Sequence, residues 1–302
     1  TVVDHGTKTV TVIFDVADKY FNTSALTTDT NAEKIGIEIG GETPTEATKT
    51  LTKISDLTAT VNGVTDTKVG ERYQLVITNL DQGDGSQYSG VMKMAFPADI
   101  ITDKSGNKNI AKTITIGIDE PSTDDGHNNE EIVDVVDPAW KVENINIDNA
   151  NKKVTAELIA TDKYLTGIAN STLTTDNITV EVDGDTNANT VITKTLSAPT
   201  FSTNETTGLK EIKYTLTLSN WEEASKQADK SYLEYSGTTK ITIAKEVVTD
   251  QYTNKNKEQS FTLGHVDFIK PRIEKVSSVI DATAKTETIT FDVIDKYLDT
   301  SK

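Results

Sequence analysis

The chain has 302 residues, no cysteine and a formal net charge of -17. That length fits two domains and part of a third, the acidic surface disfavours nucleic acid and anionic membranes as partners, and the missing thiols exclude disulfides and cysteine-ligated zinc. Hydrophobic residues make up 35%, and no apolar run approaches the roughly 20 residues that cross a bilayer, so thin cores and no membrane insertion are expected.

From the N-terminus, residues 10–16 (VTVIFDV) alternate apolar and polar side chains, the mark of a half-buried strand, and Asp18-Lys19-Tyr20 follows. Ile35, Ile37 and Ile39 predict the next strand, ended by Gly40-Gly41. Asn62-Gly63 punctuates the chain ahead of an alternating strand through Leu75 and Ile77, and Asp84-Gly85 does so again after it. Ile114, Ile116 and Ile118 close this series. Residues 120–137 are then acidic, with no Lys or Arg, so self-repulsion predicts an extended spacer; a cation-bound, stiffened joint is the other reading. Alternation resumes at residues 154–160 and continues through Ile241 and Ile243, with Asp183-Gly184 between them. Thr, Val and Ile dominate these segments, as half-buried pleated surfaces favour. Helical pattern is scarce, the best candidate being residues 221–230.

The strongest signal is internal similarity. Asp-Lys-Tyr occurs at Asp18-Lys19-Tyr20, Asp162-Lys163-Tyr164 and Asp295-Lys296-Tyr297, each time after an alternating strand. KIGIEIGG from Lys34 matches NITVEVDG from Asn177, TKTL from Thr48 matches TKTL from Thr193, and YQLVITNL from Tyr73 matches YTLTLSNW from Tyr214. Later pairs share one spacing of 147: Tyr88-Ser89-Gly90 with Tyr235-Ser236-Gly237, and Ile101-Thr102-Asp103 with Val248-Thr249-Asp250. These matches predict a repeat at 1–119, an acidic linker at 120–137, a second repeat at 138–267 and the start of a third at 271–302. The first copy lacks the opening strand of the others, so the chain reads as an internal segment of a longer array. Roughly seven to nine short alternating strands per repeat of about 130 residues predict an antiparallel β-sandwich.

Asp103-Lys104-Ser105-Gly106-Asn107, just before a last strand, resembles the D-x-x-G-N turn of bacterial immunoglobulin-like tandem repeats in large cell-surface and adhesin proteins. The second copy departs from it, since Asp250-Gln251-Tyr252-Thr253-Asn254 has no glycine. The short tails Asp119-Glu120-Pro121 and Asp267 to Pro271 resemble the joints of such arrays. The resemblance implies an all-β fold of tandem immunoglobulin-like antiparallel β-sandwich domains in an elongated array. It also implies an extracellular location at a bacterial cell surface or wall. The expected role is a structural stalk or spacer without catalysis. The alternative is a carbohydrate- or host-protein-binding module, with or without an enzyme elsewhere in a longer chain, and residues 222–233, where the copies differ most, are its candidate patch. Expected partners are adjacent repeats of the same chain and a cell-wall, glycan or host surface protein.

Chemistry-bearing constellations are few. The three histidines, His5, His127 and His265, fall at no equivalent positions, and no phosphate loop, nucleophile elbow or HExxH helix is present. Asp18 and Asp162 end equivalent strands, while Asp103 and Asp250 precede equivalent final strands. If these loops meet at one pole of each repeat, the four carboxylates could supply oxygens to calcium. The other reading is plain turn chemistry, because Asp bonds its own backbone in turns. Tyr20, Tyr164 and Tyr297 read as core or edge plugs in the manner of a tyrosine corner, Trp221 as core, and Trp140 as packing at a domain joint. The Asn-x-Ser/Thr sites at Asn22, Asn170, Asn177 and Asn204 suggest no role, and no Lys–Asn or Thr–Gln crosslinking pair stands out.

Overall fold

The computed structural model describes residues 1–24, 26, 32–80, 88–116, 132–221 and 235–297. It is mostly β, in several small antiparallel sheets. Two compact units divide it: Thr1–Asp137 with Tyr252–Asn254, and Pro138–Gln251 with Lys255–Lys302.

The first unit contains β1 (Val2–Asp4), β2 (Thr9–Ala17), β3 (Phe21–Ser24), β4 (Gly36–Ile39), β5 (Thr48–Val61), β6 (Val64–Thr78), β7 (Ser89–Gly90), β8 (Met92–Phe96), β9 (Ile101–Asp103), β10 (Lys112–Ile116) and β11 (Val133–Asp134). The main sheets run β1-β2-β6-β5 and β10-β8-β4, with the short pairs β3-β9 and β11-β7 beside them. Alternation sets the inward face: Tyr73, Leu75 and Ile77 of β6 are buried, and Val10, Val12, Ile37, Ile39, Met92 and Met94 join the same cluster. Asn62 and Gly63 both take positive φ, at 53° and 81°, and bring Val61 opposite Val64. That is the backbone of a type I′ turn, whose twist matches the strands it joins. The end of the acidic segment belongs to this unit, because Val133 and Asp134 form β11 against Ser89 and Gly90. Residues 117–131, which hold the rest of that segment, lie outside the described residues.

The second unit contains β12 (Ala139–Asp148), β13 (Lys153–Asp162), β14 (Ile178–Val182), a one-turn helix α1 (Ala188–Val191), β15 (Thr193–Leu196), β16 (Thr200–Thr203), β17 (Lys210–Ser219), β18 (Gly237–Ile243), β19 (Gln259–Val266), β20 (Arg272–Asp281) and β21 (Thr286–Ile294). One sheet runs β12-β13-β17-β15 with β16 also on β17, another runs β14-β18-β19, and β20 and β21 form a hairpin. Its core gathers Ile212, Tyr214, Leu216 and Leu218 of β17 with Ile178, Val180, Ile241 and Ile243. Trp221 is buried there, edge-on to Phe268. Trp140 is also core: it is 3% exposed and packs on Tyr214, so its place is inside the unit rather than at a joint. The expected helix at residues 221–230 lies almost wholly outside the described residues.

One turn shows how the units differ. Gly40 and Asp183 occupy matched positions, both with positive φ, at 61° and 48°. The Gly40 N–H donates to the Val91 carbonyl and the Asp183 N–H to the Thr238 carbonyl, each at 3.0 Å. At Gly40 a Cβ would fall 2.2 Å from the Ser89 carbonyl oxygen, so only glycine fits. At Asp183 the carboxylate instead accepts the Thr238 N–H at 2.7 Å.

Candidate metal centre

The recurring Asp-Lys-Tyr is first of all a turn. The Tyr20 N–H donates to Asp18 Oδ1 at 2.7 Å, the Tyr164 N–H to Asp162 Oδ1 at 2.6 Å, and the Tyr297 N–H to Asp295 Oδ1 at 2.8 Å. This Asx geometry is what an aspartate after a strand readily makes. The neighbouring lysine lies over each ring, with Lys19, Lys163 and Lys296 ammonium groups 5.2–5.4 Å from the ring centres. Tyr20 and Tyr297 are not core plugs, being 46% and 42% exposed, while Tyr164 is half-buried. The buried side chains are the next ones along, Phe21 and Leu165. Tying the tyrosine N–H to the aspartate resets the alternation, so the following residue turns inward.

The expected meeting of loops occurs in both units. The Lys104 N–H donates to the Tyr20 carbonyl at 2.8 Å, and the Gln251 N–H to the Tyr164 carbonyl at 3.2 Å. What the carboxylates then do differs. In the first unit, Asp103 Oδ1 accepts the Ser105 and Asn107 N–H groups at 2.8 and 2.7 Å, and its Oδ2 accepts Asn107 Nδ2 at 2.8 Å. The Asn107 side chain, above all, holds its carboxyl below the usual carboxylate range. Asp18 there is exposed. In the second unit, Asp162 and Asp250 are both buried, with carboxylate oxygens within 4.8 Å of one another. Calcium takes carboxylate oxygens as ligands, so this pair could serve a metal ion. Asp134 of β11 in the first unit, one residue in the long acidic run, is buried as well; its Oδ1 accepts the Val136 N–H, and its carbonyl accepts His5 Nδ1 at 2.7 Å.

Two further side chains recur in role without having been singled out from sequence. Asn109 Oδ1 accepts the Ile100 and Ile101 N–H groups, and its Nδ2 donates to the Pro97 and Ile110 carbonyls, at 2.8–2.9 Å. Asn256 does the same with Val247, Val248, Ala244 and Lys257, also at 2.8–2.9 Å. The ammonium of Lys49 on β5 donates to the Ile35 carbonyl at 2.9 Å, and that of the matched Lys194 on β15 to the Ile178 carbonyl at 2.6 Å. Burial pushes the Lys194 ammonium below its ordinary range. The signal for Asn109 was its spacing of 147 from Asn256, inside the run already compared. In the same turns Gly106 and Thr253 take φ of 85° and 70°, so the threonine repeats the glycine's left-handed backbone.

Both units also bury one glutamate among cations. Glu71 accepts Lys53 at 2.9 Å, Lys68 at 2.6 Å and the Tyr73 hydroxyl. Glu211 accepts Asn204 and Lys213, each at 2.9 Å, with Lys141 at 3.2 Å. Those donors, Asn204 first and then Lys213, hold Glu211 down at about 2. Within the second unit, Lys296 Nζ donates to Asp183 Oδ2 at 2.6 Å and to the Ser236 carbonyl. The Tyr297 hydroxyl donates to Asp183 Oδ2 at 3.1 Å, and its ring meets His265 edge-on. His5 and His265 are thus engaged in local packing, while His127 and residues 222–233 lie outside the described residues. Among the described residues no helix is long and apolar enough to cross a membrane. No family model matches the chain, and neither a curated protein nor a solved structure similar to it was found.

Proposed function

We propose that the chain is a structural segment of a bacterial cell-surface protein or adhesin, built from tandem immunoglobulin-like β-sandwich repeats that give reach and bear load without catalysis. One observation carries this reading: the matched side chains spend their hydrogen bonds on their own unit's backbone. Asn109 and Asn256 each clamp one loop, and Lys49 and Lys194 each tie a strand to the carbonyl before or at the start of another. A binding or catalytic repeat would keep polar groups for a ligand, whereas these are used up in holding the scaffold. The sandwich reading is supported by each unit's two main sheets feeding one apolar cluster.

Calcium at the Asp162–Asp250 pair belongs to the same reading. A bound cation would stiffen the loops that carry Asp162 and Asp250, using carboxylate oxygens already held close together. The function is tested mechanically, by stretching single molecules from their two ends. Load-bearing repeats give separate unfolding events at resolvable force, and smooth extension would refute the reading.

A further inference from the structure

We propose that Asp183, the Ser236 carbonyl and the His265 ring form a receptor for the lysine–tyrosine pair of the next repeat, so that the Asp-Lys-Tyr turn latches one copy onto the end of the copy before it. The inference rests on the reading of the chain as tandem repeats, and it gives the recurring tripeptide a partner.

The receptor is built by three neighbouring strands. Val182, the last residue of β14, pairs with Thr239 of β18, and Thr238 pairs in turn with His265 of β19. Asp183 follows β14 and Ser236 precedes β18, so both lie at the same end of one sheet. Asp183 is fixed by its own turn: its backbone is left-handed, with φ of 48°, and its carboxylate accepts the Thr238 N–H at 2.7 Å. Gly237 leaves room for that carboxylate, since a Cβ there would fall 2.2 Å from Asp183 Oδ2. Gly40 stands at the matched position of the first copy and has no carboxylate, so the receptor is written into this copy's own turn.

The occupant is the turn that follows β21. Phe291-Asp292-Val293 before Asp295-Lys296-Tyr297 repeats Phe14-Asp15-Val16 before Asp18-Lys19-Tyr20, which assigns this turn to the next copy. Asp295 Oδ1 accepts the Tyr297 N–H at 2.8 Å, and the Lys296 ammonium lies 5.4 Å from the ring centre, so lysine and tyrosine reach out together. Lys296 Nζ donates to Asp183 Oδ2 at 2.6 Å and to the Ser236 carbonyl at 2.5 Å. The Tyr297 hydroxyl donates to Asp183 Oδ2 at 3.1 Å, and its ring meets His265 edge-on with centres 4.7 Å apart. Among the described strands β20 and β21 pair only with each other, so no sheet ladder ties this hairpin to the rest of the unit. An ion pair whose side chains are both more than a third exposed is worth little alone. Specificity comes from the threefold match of ammonium, hydroxyl and ring to carboxylate, carbonyl and imidazole.

The test uses the intact chain, whose lack of cysteine lets two introduced cysteines be spin-labelled cleanly. Thr179→Cys on β14 and Thr290→Cys on β21 replace exposed residues. A single narrow distance distribution is expected, together with a nuclear Overhauser contact between the His265 and Tyr297 rings. Asp183→Gly keeps the left-handed turn, and Lys296→Met keeps most of the side chain's length. Each should broaden the distribution and abolish the ring contact, while the amide signals of β13 and β17 stay in place. A narrow distribution with the ring contact retained in either variant would overturn the inference. So would shifts throughout β13 and β17, which would make the pair a support of the unit itself. Were the latch to fail while the two units still unfold as separate events under force, this inference alone would fall.

Discussion

Asn109 and Asn256, 147 positions apart, hold their loops by the same four hydrogen bonds, two accepted from backbone N–H groups and two donated to backbone carbonyls. Asn256 is buried and Asn109 half-buried, so water can replace the second side chain more readily than the first. Asn256→Ala should therefore cost about 3 kcal/mol, the range for stranding buried backbone groups, and Asn109→Ala about 1 kcal/mol. Denaturant unfolding of each variant checks the order. Equal costs would mean that burial does not set the strength of this clamp.

Thr253 stands where the other copy has Gly106, and both are left-handed. A β-branched residue pays for that backbone in steric strain of about 1–2 kcal/mol. Thr253→Gly should stabilise the chain by about 1 kcal/mol, and Gly106→Ala should destabilise it by a similar amount. Melting curves that move the other way would show that the threonine side chain earns its place by contacts.

The Lys296–Asp183 contact gives a pH dependence with a definite sign. Lys296 above all, and then the Thr238 N–H, lowers the Asp183 pKa from 3.8 to about 2. Because the folded value lies below the ordinary one, the contact is fully present above about pH 4 and fades as the pH falls toward 2. Amide exchange at Thr238, whose N–H the Asp183 carboxylate accepts, should quicken across that range as the pH drops once its intrinsic acid dependence is corrected. Asp183→Asn should flatten the corrected profile. Matching profiles in the two proteins would contradict the assignment.

Calcium should raise the melting temperature, and a chelator should lower it, through Asp162 and Asp250. An ion at a hundred times its dissociation constant stabilises by about 2.7 kcal/mol, worth several degrees in a domain of this size. Asp162→Asn and Asp250→Asn should each remove the calcium response, while Asp103→Asn, whose carboxylate already serves its own loop, should keep it. A melting temperature indifferent to calcium and chelator would eliminate the site.

Much of the local structure is legible in the sequence because it depends on neighbours. Period-two alternation places Leu75 and Ile77 inward, and Asn62-Gly63 makes the tight hairpin its φ preferences require. The Asp-Lys-Tyr repeats mark three turns of one geometry. What is not legible depends on distant contacts or on a reset of the pattern. Tyr20 looks like the core aromatic, but its N–H is tied to Asp18, and Phe21 takes the inward face. Asn109 reads as one more loop residue, because its four partners are scattered from Pro97 to Ile110. The contrast between exposed Asp18 and buried Asp162 cannot be seen in two identical tripeptides, since burial is set by what packs around each loop.

Single-molecule stretching tests the load-bearing account most directly. Each unit should rupture as a separate event at resolvable force, releasing about 50 nm of chain for roughly 140 to 160 residues at up to about 3.6 Å each. Asn256→Ala should lower the force of one event and leave the other unchanged. A single merged event, or extension without a force peak, would contradict the proposal that this chain works as a series of independent structural repeats.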